Sequence, residues 1–277
     1  MADKPAIRKT ARWWFAVGTL ALLVVLFAGL GNWQLDRADQ RRSIAQEIEA
    51  GRQAPRVLLS ADTSLDGLVT WQPAMAVGRW RPEWSFLLDN RNLDSRPGLW
   101  LATPLELAPG RLLLVLRGWV ARPIAQYNAL PVIATPATTV TVEGDVATHI
   151  PRLFSLGEEA PLRFSWAANQ KGNASLGEDG LPLKDLERRQ NVSLAALSEQ
   201  MGQAFLPIVL MQTGDAMDDG LGRQWPQPSV DADKNVGYAF QWFGFAAIAF
   251  VAIGVLLWRM PRRANIKVNS KDTERDD

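Results

Sequence analysis

Two uncharged apolar runs divide the chain into segments of very different character. Residues 13–33 read WWFAVGTLALLVVLFAGLGNW and residues 238–258 read YAFQWFGFAAIAFVAIGVLLW. Each run is about 21 residues long, and at 1.5 Å per helical residue it reaches roughly 30 Å, the thickness of a bilayer's hydrocarbon core. Both predict transmembrane helices. Aromatic residues stand near both ends of each run (Trp13, Trp14 and Trp33; Tyr238, Trp242 and Trp258), where rings prefer the headgroup level. A cleaved signal peptide fits the first run poorly, because the run exceeds an ordinary signal core and Gly29-Leu30-Gly31-Asn32-Trp33 offers no small-x-small cleavage site. A mitochondrial presequence is also a poor fit, since the short lead includes Asp3; the chain reads as bacterial.

The pattern then changes twice. Residues 34–49 mix good helix formers with Leu35, Ala38, Ile44, Ala45 and Ile48, so the first membrane helix is expected to continue outward and stop at Gly51. Arg37, Arg41 and Arg42 then fall near lipid headgroups, or on a solvated helix face. Beyond Pro55, short apolar runs alternate with turn residues and predict strands at 74–80, 85–90, 99–105, 112–120, 138–146 and 205–211. The run Leu112-Leu113-Leu114-Val115-Leu116 is apolar on both faces and predicts a central strand buried on both sides. A helix is expected at 194–203, and loops at 171–180 and 213–234. The fold class that follows is a membrane protein with two transmembrane α-helices flanking one external, mainly antiparallel β domain, α+β and barrel-like.

Charge orients this arrangement without naming a partner. Lys4, Arg8, Lys9 and Arg12 precede the first span, and Arg259, Arg262, Arg263, Lys267 and Lys271 follow the second, so both tails are expected in the cytoplasm. The expected organisation is a cytoplasmic basic tail (1–12), transmembrane helix 1 (13–33), a periplasmic mainly β domain (34–237), transmembrane helix 2 (238–258) and a cytoplasmic tail (259–277), in a bacterial inner membrane. With 30 Lys+Arg against 29 Asp+Glu, nucleic acid is not an expected partner, whereas membrane lipid is. The mean hydropathy of −0.07 conceals the spans by averaging them with the polar remainder.

Zero cysteines exclude disulfides, thiolate nucleophiles, Cys-ligated zinc or iron–sulfur sites and c-type haem attachment. A single histidine, His149, lies in Thr148-His149-Ile150-Pro151 and reads as a turn residue rather than a base. The carboxylate pairs Glu158-Glu159, Glu178-Asp179 and Asp218-Asp219 sit in turn-like surroundings and read as solvated. No phosphate-binding glycine loop, dinucleotide fingerprint or nucleophile elbow occurs. No catalytic or metal residue is therefore assigned.

A set of tryptophan-centred strings does stand out. Leu30-Gly31-Asn32-Trp33-Gln34-Leu35-Asp36-Arg37 resembles the L-G-x-W-Q-L-x-R signature of the Surfeit-locus family of cytochrome c oxidase assembly factors. In order along the chain, Phe86 to Arg91, Pro97-Gly98 with Thr103-Pro104-Leu105, Leu116-Arg117-Gly118-Trp119-Val120, Val142-Glu143-Gly144 and Gly237-Tyr238-Ala239-Phe240-Gln241-Trp242-Phe243 are similar to further strings of that family. The resemblance spans about Trp13 to Trp258. It implies an assembly factor for a haem–copper terminal oxidase and not an enzyme, with the oxidase catalytic subunit and other oxidase assembly proteins as partners. The binding residues it implies are Trp33, Gln34, Arg37, Arg117, Gly118, Trp119, Tyr238, Gln241 and Trp242.

The residue chemistry leaves alternatives open. Arg117 is placed to pair with Asp89, or with an anionic ligand group such as a haem propionate, with Trp119 in the core. Gln241 suits either a headgroup or a ligand contact. Gly18, Gly29, Gly31, Gly244 and Gly254 are candidates for close helix approach. The family carries a histidine three residues before the tyrosine of its second-span motif, where this chain has Asn235, and G-Y-H where this chain reads Gly98-Leu99-Trp100. Haem is accordingly expected only as a transient cofactor, without its usual histidine ligand. The competing expectations are a membrane-tethered periplasmic enzyme or ligand sensor, and an interaction module that contacts other membrane subunits through its spans.

Overall fold

The computed structural model describes residues 4–108, 111–123, 129–154, 162, 164, 180–214 and 219–260, and the chain divides into two compact units, 1–43 with 229–277 and 44–228. Glu158-Glu159, Glu178-Asp179, Asp218, nearly all of the 171–180 loop and the basic residues after Arg259 lie outside the described residues. The described α-helices are α1 (Lys4–Gln53), α2 (Leu194–Met201) and α3 (Asp233–Arg259).

In the first unit, α1 and α3 each contain a stretch long and apolar enough to cross a membrane. Their less exposed positions repeat with alternating spacings of three and four residues. On α1 these are Trp13, Val17, Leu20, Val24, Phe27, Gly31, Gln34 and Ala38; on α3 they are Asn235, Ala239, Trp242, Ala246, Ala249, Ile253 and Leu256. This spacing is the heptad seam by which one helix packs along another. Lipid offers no hydrophobic drive between helices, so small residues that permit close contact matter here. Ala239, Ala246 and Ala249 are the buried residues of α3 within its apolar stretch. Of the five glycines expected to allow close approach, only Gly31 does so: a Cβ there would lie 2.7 Å from the Phe243 ring. Gly18, Gly29, Gly244 and Gly254 face open space.

The second unit begins with the last turns of α1. Gly51 does not end this helix, as its sequence context suggests; the helix runs on to Gln53 and stops before Pro55. The glycine is needed for another reason, because a Cβ would collide with the Thr70 carbonyl oxygen. Five strands close a barrel around the core of this unit: β2 (Pro73–Trp80), β4 (Gly98–Ala108), β5 (Arg111–Ala121), β7 (Val140–Ala147) and β10 (Ala204–Gln212). Their order around the barrel is β2-β7-β10-β5-β4, with β4 returning to β2 through Arg79↔Glu106 and Trp80↔Leu105. The short β1 (Val57–Leu59) joins β2, while β3 (Phe86–Leu88) joins β4 and is itself joined by β9 (Arg188–Arg189). The small strands β6 (Val132–Ile133) and β8 (Leu181–Pro182) pair separately. Most pairings are antiparallel as expected, but β1–β2, β3–β9 and β5–β10 are parallel.

Strand alternation explains the layers. Leu113 and Val115 of β5, Ala74 and Ala76 of β2, Val142 and Val146 of β7, and Leu206, Ile208 and Leu210 of β10 fill the barrel interior. The opposite face of β5, through Leu112, Leu114 and Leu116, packs with Phe86, Trp100, Leu197 of α2 and Phe205 in an outer core. The apolar run of β5 is thus buried on both sides. Helix α2 is shorter than its expected 194–203 span because Gly202, at φ 60°, terminates it in the left-handed conformation, while Ser193 caps its start.

Candidate functional site

The string Leu116-Arg117-Gly118-Trp119-Val120 contains a β-bulge in the second half of β5. Leu101 pairs with Gly118 and Ala102 with Leu116, which leaves Arg117 as the extra residue. Its guanidinium is fully buried. Nη1 donates to Thr135 Oγ1 and Nη2 to the Ala134 carbonyl, each at 2.7 Å, and the group lies 4.8 Å from the centre of the Trp80 ring. Its anionic partner is not Asp89 but Asp219, at 3.5 Å; Asp89 pairs instead with Arg122 at 3.3 Å. Asp219 also accepts two hydrogen bonds from Arg223 Nη2, at 2.9 and 2.8 Å. One buried carboxylate therefore serves two guanidinium groups. Burial, and secondarily the Arg223 charge, lower the Arg117 pKa from its ordinary value to about 10 against the opposing pull of Asp219, so Arg117 remains a cation at neutral pH.

Gly118 and Trp119 lock the neighbouring chain onto this bulge. Trp119 exchanges backbone hydrogen bonds of 2.7 and 2.8 Å with Gly222, and a Cβ on Gly118 would lie 2.7 Å from that of Leu221. The Trp119 indole N–H donates to the Arg91 carbonyl at 2.7 Å, under a packed Gly98 that has no room for a side chain. Trp100, which stands where the resemblance implies a histidine, meets Trp225 edge-on at 5.1 Å and carries the Arg91 guanidinium 4.6 Å from its ring centre. Asp219 and Trp225 were not legible as members of this cluster. Asp219 sits beside another aspartate in a glycine-bounded turn, which reads as solvated, yet its side chain is fully buried.

The remaining candidate residues gather at one end of the helix pair. Asn235 Nδ2 donates to Gln34 Oε1 at 2.6 Å, joining α3 to α1, while Asn235 Oδ1 is buried without a partner. Arg41 Nη1 donates to the Asp231 carbonyl at 2.6 Å in the same region. Lys234, 3.0 Å from the Asp231 carboxylate, holds the pKa of that exposed group below its usual range, chiefly by hydrogen bonding. Trp242 turns toward α1 and stacks on Phe27 at 5.8 Å, with Phe245 completing an aromatic trio. Trp33, Tyr238 and Gln241 face outward, as does Arg37, whose guanidinium donates to Gln40 at 3.2 Å.

The donors at this end are amides and one phenol. An amide is a poor donor to haem iron, the Tyr238 phenol is a less usual ligand than imidazole, thiolate or thioether, and Asn235 is already committed to Gln34. His149 belongs to the other unit, exposed, with Nδ1 3.1 Å from Thr148 Oγ1. Among the described residues, no group of three or more His, Cys, Asp or Glu side chains is placed to hold a metal. Set against known proteins, the chain matches the SURF1 family over residues 21–247, a stretch that takes in parts of both spans and the whole second unit. No curated protein matches it at a significant level.

Proposed function

This chain belongs to the SURF1 family of cytochrome oxidase assembly factors, and from that premise we propose that it serves the biogenesis of a haem–copper terminal oxidase by stabilising the catalytic subunit while haem is inserted. The observation that carries the reading is the extent of the family match, which covers the barrel and reaches into both apolar helices. The internal chemistry supports a scaffold role. Arg117, Gly118 and Trp119 are engaged inside the second unit, whereas Trp33, Arg37, Tyr238 and Gln241 are free to meet a partner at the end of the helix pair. In this reading the bacterial inner membrane holds both spans, the termini are cytoplasmic and the barrel is periplasmic.

Haem reaches the oxidase without axial ligation by this chain, because an asparagine amide is a poor donor to haem iron. The absorption spectrum of membranes lacking the protein tests the function: terminal-oxidase haem should be lost with other cytochromes intact, and an unchanged spectrum would favour a periplasmic enzyme or ligand sensor. Purified protein should show no stoichiometric low-spin haem, and Asn235→His should raise haem retention. One tightly bound six-coordinate haem per wild-type chain would refute the ligand argument. Alkaline phosphatase fused after Gly172 should be active and a fusion at Asp277 inactive; the reverse pattern would refute the orientation.

A further inference from the structure

Between α1 and α3 the seam is not filled along its whole length. A groove of about 410 Å³ runs between them, bounded by Leu20 and Leu23 on α1 and by Ala249 and Ala252 on α3, and stopped at one end by Phe27, Trp242 and Phe245. A second hollow of about 330 Å³ is lined by Arg12, Trp13, Ala16 and Leu256. Ala16 lies one turn before Leu20, and Leu256 one turn after Ala252, so the two hollows follow one another along the same helix faces. From Arg12 to Phe27 the rise is roughly 22 Å. The helices therefore frame a long apolar slot with an aromatic stop at one end and a guanidinium at the other.

That combination has the dimensions and polarity of one phospholipid acyl chain with its phosphate. Arg12 has no ion-pair partner among the described residues, and a guanidinium presents a planar fork that matches phosphate oxygens. Trp13 at the same mouth offers an indole N–H at the level where glycerol and ester groups lie. Arg259, three residues after Leu256 in the last turn of α3, adds a second cation nearby. A transmembrane helix of another protein would fill apolar space but would bring no obligatory anion to Arg12; an anionic lipid supplies both. We propose that the α1–α3 groove is a site for an anionic glycerophospholipid, with one acyl chain along Leu20, Leu23 and Ala252 and the phosphate on Arg12. This site goes beyond the assembly role and does not depend on it.

The test uses the full chain in mild detergent, exposed to equal amounts of phosphatidylglycerol and phosphatidylcholine with matched chains and analysed by native mass spectrometry. Wild-type protein should retain phosphatidylglycerol about fivefold better, the preference expected from a single well-placed cation. Arg12→Gln should remove most of the preference, leaving only what Arg259 supplies, and Arg12→Lys should keep most of it, while Ala252→Phe, which fills the slot, should lower retention of both lipids. Circular dichroism confirms that each variant keeps its helices, and Ala252→Phe leaves Arg12 and its effect on membrane insertion untouched. Equal retention of the two lipids by wild type would overturn the headgroup assignment, and unchanged retention in Ala252→Phe would overturn the groove. Release of a co-purifying polypeptide by Ala252→Phe, with lipid retention unaltered, would assign the groove to a protein partner instead.

Discussion

Asp219→Asn should destabilise the second unit more than Arg117→Met, although Arg117 is the residue that the family resemblance singles out. The substitution is nearly isosteric but removes the charge that both Arg117 and Arg223 face, at 3.5 and 2.8 Å. Two buried guanidinium groups are then left to repel each other, and breaking a buried pair from one side typically costs about 3–5 kcal/mol. Arg117→Met leaves Asp219 still held by the two Arg223 hydrogen bonds, and Thr135 still donates to the Ile133 carbonyl at 3.1 Å. Its main orphan is the Ala134 carbonyl, which costs about 1–3 kcal/mol, partly offset by apolar packing against Trp80. For a domain of this size each kcal/mol moves the midpoint by roughly 2–4 °C. Thermal unfolding of the full chain in detergent, followed by near-ultraviolet circular dichroism of its 12 tryptophans, should therefore separate the two variants. The double variant Arg117→Met/Asp219→Asn should be more stable than Asp219→Asn alone, because it removes one of the two stranded cations. The reverse order, or a double variant worse than either single one, would refute the shared-carboxylate account.

Three further outcomes follow from other sites. Burial raises the pKa of Asp145, with Arg52 opposing the shift, so the folded state binds its proton more tightly than the unfolded chain and stability from this group falls as pH rises through the folded pKa. Asp145→Asn should accordingly raise the urea midpoint at pH 7 and leave it unchanged near pH 3, and a loss of stability at pH 7 would contradict the sign. Gly98→Ala should cost about 1–3 kcal/mol by driving the Trp119 indole off the Arg91 carbonyl, whereas Gly254→Ala, facing open space, should be tolerated; both are read by thermal unfolding. Because the chain has no native cysteine, Gln34→Cys with Asn235→Cys should be joined in membranes by a short bifunctional thiol reagent whose spacer covers the gap left by the shortened side chains, and failure to cross-link would count against the contact of α1 and α3 there.

The spans, the strands and the doubly buried β5 were legible because each rests on local pattern: run length, alternation and the turn residues between runs. Arg117 and Trp119 stood out through the family resemblance, not through local pattern. What local pattern could not supply was their partners. Asp219 and Gly222 lie about a hundred residues downstream, in a stretch whose glycines and aspartates read as an exposed loop. The five glycines of the spans were equivalent by sequence, and only the packing of Phe243 against Gly31 distinguishes one of them. Gly51 was misread for a related reason: its position near the end of a helix suggested a terminator, but the approach of the Thr70 carbonyl is a tertiary demand.

The position of β10 between β5 and β7 has a consequence for how the protein is made. The barrel cannot close until β10 has emerged, and residues 122–203 separate it from β5. At ordinary rates of synthesis that interval is roughly 4–16 s, during which Leu112 to Leu116 present an apolar strand with one unpaired edge. The antiparallel β4–β5 hairpin can form early from neighbouring sequence, but the parallel β5–β10 pairing carries a large loop-closure entropy and must come late. The nascent domain is therefore most vulnerable to proteolysis and to pairing with another chain before β10 arrives. Substitutions that weaken β10 should reduce the amount of protein that accumulates before they alter the behaviour of the molecules that complete folding.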